Sequence, residues 1–155
     1  MTIRFARSED LTRVNELRKQ VNDLHVNGDP AVFREGFPDE LRDYIYSAFG
    51  DPLRKIVVYE KNGEILAFAV LHHIHVPQTP YKNERVFLDI DEFGVDESHH
   101  RQGIATEMMR FIREYAKSEG FSRIELNMWE FNQGALEFYN SVGFRTYRRY
   151  MELKL

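Results

Sequence analysis

Between Phe93 and Thr106 an apolar stretch, Phe93-Gly-Val95, gives way to the polar run Asp96-Glu-Ser-His-His-Arg-Gln102 and then to Gly103. After the glycine, Ile104, Met108, Phe111, Ile112 and Tyr115 recur at offsets of 4, 7, 8 and 11, the spacing of a helix with one buried face. A strand therefore turns into a helix here, and such a junction can hold an anion. The first N–H groups of a helix have no intrahelical partner, and the aligned peptide dipoles place partial positive charge beside them. Gly103 lets a ligand approach the backbone, and His100 and Arg101 add donors. A Walker loop would need Lys and then Ser or Thr where Ile104 and Ala105 stand, and the dinucleotide fingerprint would need three spaced glycines. Taken alone, the stretch also fits an ordinary strand-to-helix turn.

Two further clusters invite a chemical reading. His72, His73 and His75 share one strand, with His73 and His75 on one face, but no acidic third ligand accompanies them, and a solvated or partner-facing strand explains them; no metal site is expected. Phe33 and Phe37 lie in an irregular aromatic segment that is either a substrate wall or a plug for the core beneath a helix connection.

These residues need a frame. The chain has 155 residues, 43% hydrophobic and 30% charged, which suits one domain spanning 1–155 with a substantial core. Net charge is −4 with both signs mixed and no basic stripe, so the electrostatic footprint of nucleic-acid binding is missing. No apolar run is long enough to span a membrane, the first residues do not read as a secretory signal, and there is no cysteine, all of which points to the cytoplasm.

The patterning predicts a strand over 3–6, then a helix capped by Ser8 and running to about His25, where Asn27-Gly-Asp-Pro30 breaks it. A second helix is expected over about 39–49. Strands over 56–60 and 65–76 flank Asn62-Gly63 as a hairpin. A long strand over 85–95 leads into the motif turn and its helix, which stops at Gly120. A strand over 123–129, a short helix capped by Asn132 and ended by Gly143, and a final strand over 144–153 complete the order. The fold class is α/β (α+β), with a mixed, mostly antiparallel central sheet and helices on both faces.

This order, with two local motifs, resembles the Gcn5-related N-acetyltransferase superfamily, whose members move an acetyl group from acetyl-coenzyme A to an amine. The first motif is His100-Arg-Gln-Gly103-Ile-Ala105, where the family's pyrophosphate loop carries Gln or Arg in place of His100. The second is Asn132-Gln-Gly-Ala135-Leu-Glu-Phe138-Tyr139-Asn-Ser-Val-Gly143-Phe144. The resemblance implies acetyl-coenzyme A as cosubstrate, no metal, and cofactor contacts from Phe93, Val95, His100, Arg101, Gln102, Gly103, Ile104, Ala105, Thr106, Asn127, Asn132 and Tyr139. It also implies that Tyr139 lies near the sulfur and that a strand N–H near Val95 stabilises the acetyl oxygen.

Leu88-Asp-Ile-Asp91-Glu92-Phe93-Gly-Val95 resembles the corresponding strand of spermidine/spermine acetyltransferases, where adjacent carboxylates lie by the amine, with the order of the two acids swapped here. Asp91 and Glu92 are thereby candidate bases. As successive strand residues they should face opposite ways unless a bulge intervenes, so only one is expected to reach an amine. The expected acceptor is the primary amine of a small molecule: a polyamine, a diamine or an amino-acid-like compound. The alternatives are a peptide or protein acceptor and a non-catalytic acyl-coenzyme A-binding module. The family often dimerises, and a homodimer is compatible with the resemblance. Trp129 and Phe131 are expected to wall the pantetheine channel or to pack the core.

Overall fold

The computed structural model describes residues 1–155. Five strands form one sheet in the order β1-β2-β3-β4-β5: β1 (Thr2–Phe5), β2 (Arg54–Lys61), β3 (Glu64–Val76), β4 (Arg85–Val95) and β5 (Ile124–Leu126). All neighbours are antiparallel except β4 and β5. The β2–β3 turn follows its sequence signal, since Asn62 and Gly63 both take the positive φ that a tight hairpin needs. β3 sits at the middle of the sheet, and its residues from Ile65 to Leu71 are buried without the alternation of a half-exposed strand.

Helices cover both faces. On one face α1 (Leu11–Gly28) and α2 (Asp39–Gly50) set Leu11, Val14, Leu17 and Ile45 against Val58, Phe68 and Val70. On the other, α3 (Ile104–Ser118) sets Met108, Met109, Ile112 and Ala116 against Leu71, Leu88 and Ile90, and α4 (Gln133–Ser141) packs Phe138 and Tyr139 at the rim. Gly94 brings α1 close to β4: a Cβ there would stand 2.7 Å from both Phe68 and Val21. No helix is long and apolar enough to cross a membrane.

Three expectations are corrected. Ser8 does not cap a long helix. Residues Ser8–Asp10 form a single 3-10 turn closed by Asp10, whose carboxylate accepts the Arg7 N–H at 2.7 Å and pairs with Arg4, and α1 starts after it. At its other end α1 runs through Asn27 to Gly28, because only Pro30 blocks the backbone there. The final strand over 144–153 is not formed: nothing after α4 pairs with the sheet.

Candidate active site

β4 and β5 pair over only three residues, Leu88 with Ile124, Asp89 with Glu125 and Ile90 with Leu126. Beyond them the strands part. The reason is in β4: Leu71 of β3 opposes Ile90 while Val70 opposes Glu92, so Asp91 is the extra residue of a β-bulge, which bends the strand and ends its pairing with β5. The strand expected over 123–129 is accordingly cut to Ile124–Leu126, and Asn127 to Trp129 become one wall of the opening. A cavity of about 720 Å³ fills this splay, reaching from the turn before α3 to the space beneath α1.

The bulge also overturns the expectation that Asp91 and Glu92 face opposite ways. Ile90, Phe93 and Val95 point to the α3 face, whereas the extra residue resets the alternation and turns both carboxylates to the α1–α2 face. Each is met by an arginine. Arg18 of α1, its side chain 3% exposed, grips Glu92 through Nε at 2.6 Å and Nη2 at 2.9 Å. The remaining donor nitrogen of Arg18 bonds Asn15 and the Leu41 carbonyl, and its plane lies over Phe37 and Tyr44. Asp91 accepts from the Tyr44 hydroxyl and from Arg54 at 2.7 Å. Burial and the Asp91 carboxylate together push the Tyr44 phenol well above its ordinary range.

Arg18, Tyr44 and Arg54 were not anticipated as site residues. Arg18 had a signal: with Val14, Leu17 and Val21 it falls on the buried stripe of α1, and a charge on such a stripe demands a partner. Tyr44 and Arg54 come from separate elements and carried none. Asp89 shares the acidic face two residues before the bulge. Burial, then Asp91 and Glu125, raise its carboxyl to about 6, and it has no hydrogen-bond partner.

The turn before α3 is shaped by left-handed backbone. Arg101 has φ +60 and Gly103 φ +82; the first is strained for a residue with a side chain, and the alternation builds a concave nest of N–H groups. A Cβ on Gly103 would meet nothing within 4 Å, so the space over it is open to a ligand. The N–H groups of Ile104, Ala105 and Thr106 have no backbone acceptor; the first bond across the turn is from Glu107 to Gly103. These residues, with His100 and Arg101, line the cavity, and Gln102 of the same turn does not. The His100 imidazole bonds the Val95 carbonyl at 2.9 Å through Nε2, so its side chain braces the turn from inside. Asp96 binds the Leu66 carbonyl of β3 through its N–H; strand alternation therefore turns the Val95 N–H away from β3, toward the groove. This donor set fits a pyrophosphate.

Asn132 caps α4 by accepting the Ala135 N–H at 3.1 Å. One turn further, burial pushes the Tyr139 phenol up to about 12, with no hydrogen bond to its oxygen, and its ring leans on Phe93 and Phe144. Asn127, Asn132, Phe93, Val95 and Tyr139 thus meet along one cavity. The far end is apolar: Phe33 packs edge-on against Trp129 at 5.0 Å and lies tilted against the His25 ring, also at 5.0 Å, and Phe37 and Leu41 close the wall. The histidines of β3 go elsewhere, His73 to Tyr115 and Phe121 and His75 to Glu84.

A sequence profile described as the acetyltransferase (GNAT) family matches residues 18–144. Human N-acetyltransferase 8 is 35% identical over 58 residues, 37% of this chain and 26% of that protein, so the match takes in about a quarter of the relative's length. Among solved structures, a tetramutant of the BH1408 protein from Bacillus halodurans superposes with a TM-score of 0.94 at 30% identity, over 100% of both chains. The fold is also that of AAC(6')-Iy, solved in complex with a bisubstrate analogue, at a TM-score of 0.77 and 15% identity over 99% of this chain and 97% of the other.

Proposed function

This chain belongs to the acetyltransferase (GNAT) family, and from that membership we propose that it moves the acetyl group of acetyl-coenzyme A to the primary amine of a small molecule by direct attack. The observation that carries this reading is the single groove joining a nest of free N–H groups, a buried tyrosine and a pair of carboxylates.

The turn at Arg101 to Thr106 would hold the pyrophosphate through backbone donors, with Asn127 and Asn132 along the pantetheine. Acetyl-coenzyme A supplies the activated acyl carbon. Charge that develops on its carbonyl oxygen meets the Val95 N–H, a donor already held in place by the strand. Tyr139 keeps its proton at neutral pH because burial disfavours the phenolate, and it donates toward the departing sulfur. A thiol with an ordinary pKa near ~8.5 leaves tolerably unaided, so Tyr139 assists. At pH 7 an alkyl amine of pKa ~10.4 is almost wholly protonated. Glu92 and Asp91 keep lone pairs beyond those their arginines use, and these orient the ammonium and pass its proton to water.

The likeness of residues 88–95 to spermidine/spermine acetyltransferases suggests a polyamine acceptor, but several cations need several free carboxylates. Here Arg18 offsets Glu92 and Arg54 offsets Asp91, while Phe33, Phe37, Leu24 and Leu41 line the adjacent wall. The charge balance favours a monoamine with an apolar body. Thiol release from acetyl-coenzyme A over a panel of arylalkyl, alkyl and polyamine acceptors tests this reading: kcat/KM should be highest for apolar monoamines. Preference for spermidine would overturn the acceptor class, and coenzyme A binding without turnover on any amine would replace the enzyme by a binding module.

A further inference from the structure

Every acid and base lining the groove is paired, belongs to the turn before α3 or is Tyr139, except His25. Its Nδ1 lies 2.7 Å from the Val21 carbonyl, one turn back on α1. A carbonyl can only accept, so Nδ1 carries the proton, and in the neutral ring Nε2 keeps a bare lone pair. No hydrogen bond within the protein engages Nε2. The rings beside it are aromatic, Phe33 at 5.0 Å and Phe131 at 5.9 Å.

The fold sets this ring over the opening. α1 steps along β4: Arg18 meets Glu92, and Val21 lies against Gly94. His25 follows Val21 by one turn on the same face of α1, where β4 has already lost β5 as a neighbour. From there it meets the other wall, because Phe131 and, behind Phe33, Trp129 belong to the chain that leaves β5. Gly28 permits that approach: a Cβ on it would stand 2.2 Å from the Phe131 ring, so the end of α1 rests directly on this wall. His25 thus bridges the splay on the face to which Glu92 and Asp91 also turn.

Resting on the acetyl-transfer reading above, we propose that His25 is the general base of the reaction, its Nε2 taking through water the proton that leaves the acceptor ammonium beside Glu92 and Asp91. A carboxylate holds a cation well but is a weak base at neutral pH, and both carboxylates here are shared with arginines; imidazole is the stronger base. The other imidazoles of the groove hold the turn before α3, His100 through the Val95 carbonyl and His99 through Asp96 and Ser98. The acceptor nitrogen starts with three protons and ends, in the amide, with one. The first goes to Nε2, which frees the lone pair that forms the C–N bond. The C–S bond breaks with its electron pair on sulfur, which takes the Tyr139 proton. The second nitrogen proton leaves as the amide forms and restores Tyr139 through solvent. His25 then returns its own to solvent, so each turnover releases one proton.

Two amines of one skeleton test this at pH 8: phenylethylamine, almost wholly protonated there, and its analogue difluorinated next to the amine-bearing carbon, a much weaker base and largely neutral. His25→Gln should lower kcat/KM for phenylethylamine about a hundredfold and for the neutral analogue less than about fivefold, with the coenzyme A dissociation constant within about threefold of wild type. A residue that only shapes the wall would cost both amines the same factor. Ring nitrogen shifts of the wild-type chain bound to coenzyme A, read by NMR, should place the His25 proton on Nδ1; the opposite tautomer overturns the role without recourse to any variant. A wild-type chain inert toward both amines overturns the transfer reading and the role with it. An active chain whose variant loses equally on both amines, or less than about threefold on phenylethylamine, overturns the role alone.

Discussion

The two walls of the groove are made of different material. Toward α3 the groups facing the cavity are backbone N–H groups, held by two left-handed residues and a helix N-terminus, and unpaired within the protein. Toward α1 they are charged side chains, and each already has a partner: Glu92 with Arg18, Asp91 with Arg54 and Tyr44. A backbone site tolerates changes of side chain because the donors stay when the side chain goes. A site of paired charges does not, since removing one member leaves the other uncompensated in a partly desolvated place. The backbone wall should thus be robust to substitution and the charged wall fragile.

Arg18→Ala strikes the fragile wall hardest. It strands the Glu92 carboxylate and leaves the Leu41 carbonyl without its donor, so stability should fall by about 3 kcal/mol. For a domain of this size that is roughly 6 to 12 °C in melting temperature, measurable by calorimetry. A loss within about 0.5 kcal/mol would mean the pair is a surface contact, and the contrast between the walls would collapse.

Tyr139→Phe separates chemistry from binding on the robust wall. Turnover should drop by about ten- to a hundredfold with coenzyme A affinity nearly intact, because only a proton donor is lost. Unchanged turnover would take Tyr139 out of the reaction.

Asp89→Asn tests the acidic face through pH. Its folded pKa of about 6 lies above the ordinary carboxylate value, so the folded state binds the proton more tightly than the unfolded chain. Its contribution to stability therefore declines as pH rises from about 4 to 6 and stays unfavourable above that. Because the group is partly exposed, the variant should gain no more than about 1 kcal/mol at pH 7.5 and nothing at pH 4, read from urea melts at each pH. A gain independent of pH would place its origin in packing.

His100→Ala should do least. The imidazole bonds the Val95 carbonyl, so the N–H donors survive its removal and the coenzyme A dissociation constant should change by less than about threefold. A tenfold loss by calorimetric titration would show that the side chain holds phosphate and that the cofactor wall is also built from side chains.

Much of this was legible because it depends on local rules. The periodicity after Gly103, the Asn62-Gly63 hairpin, the Asn132 cap and the stripe of α1 each follow from residues within a few positions of one another. The strand over 123–129 failed because its length depends on β4, which leaves it at Ile90; the strand over 144–153 is not formed although its apolar–polar alternation is the local signal of one, because alternation does not by itself supply strand pairing. The bulge at Asp91 is a matter of register between β3 and β4, which no property of Asp91 itself reveals.

The sequence by itself determined the strand-to-helix turn before α3, the order of the principal elements through α4, and the family, because turn chemistry and helical period are short-range. Only the tertiary structure decided which way Asp91 and Glu92 point, that Arg18 and Arg54 neutralise them, and that β4 and β5 part to open the groove. Those outcomes depend on strand register and on side chains up to 74 positions apart meeting in space, where each buried charge must find whatever partner the fold delivers.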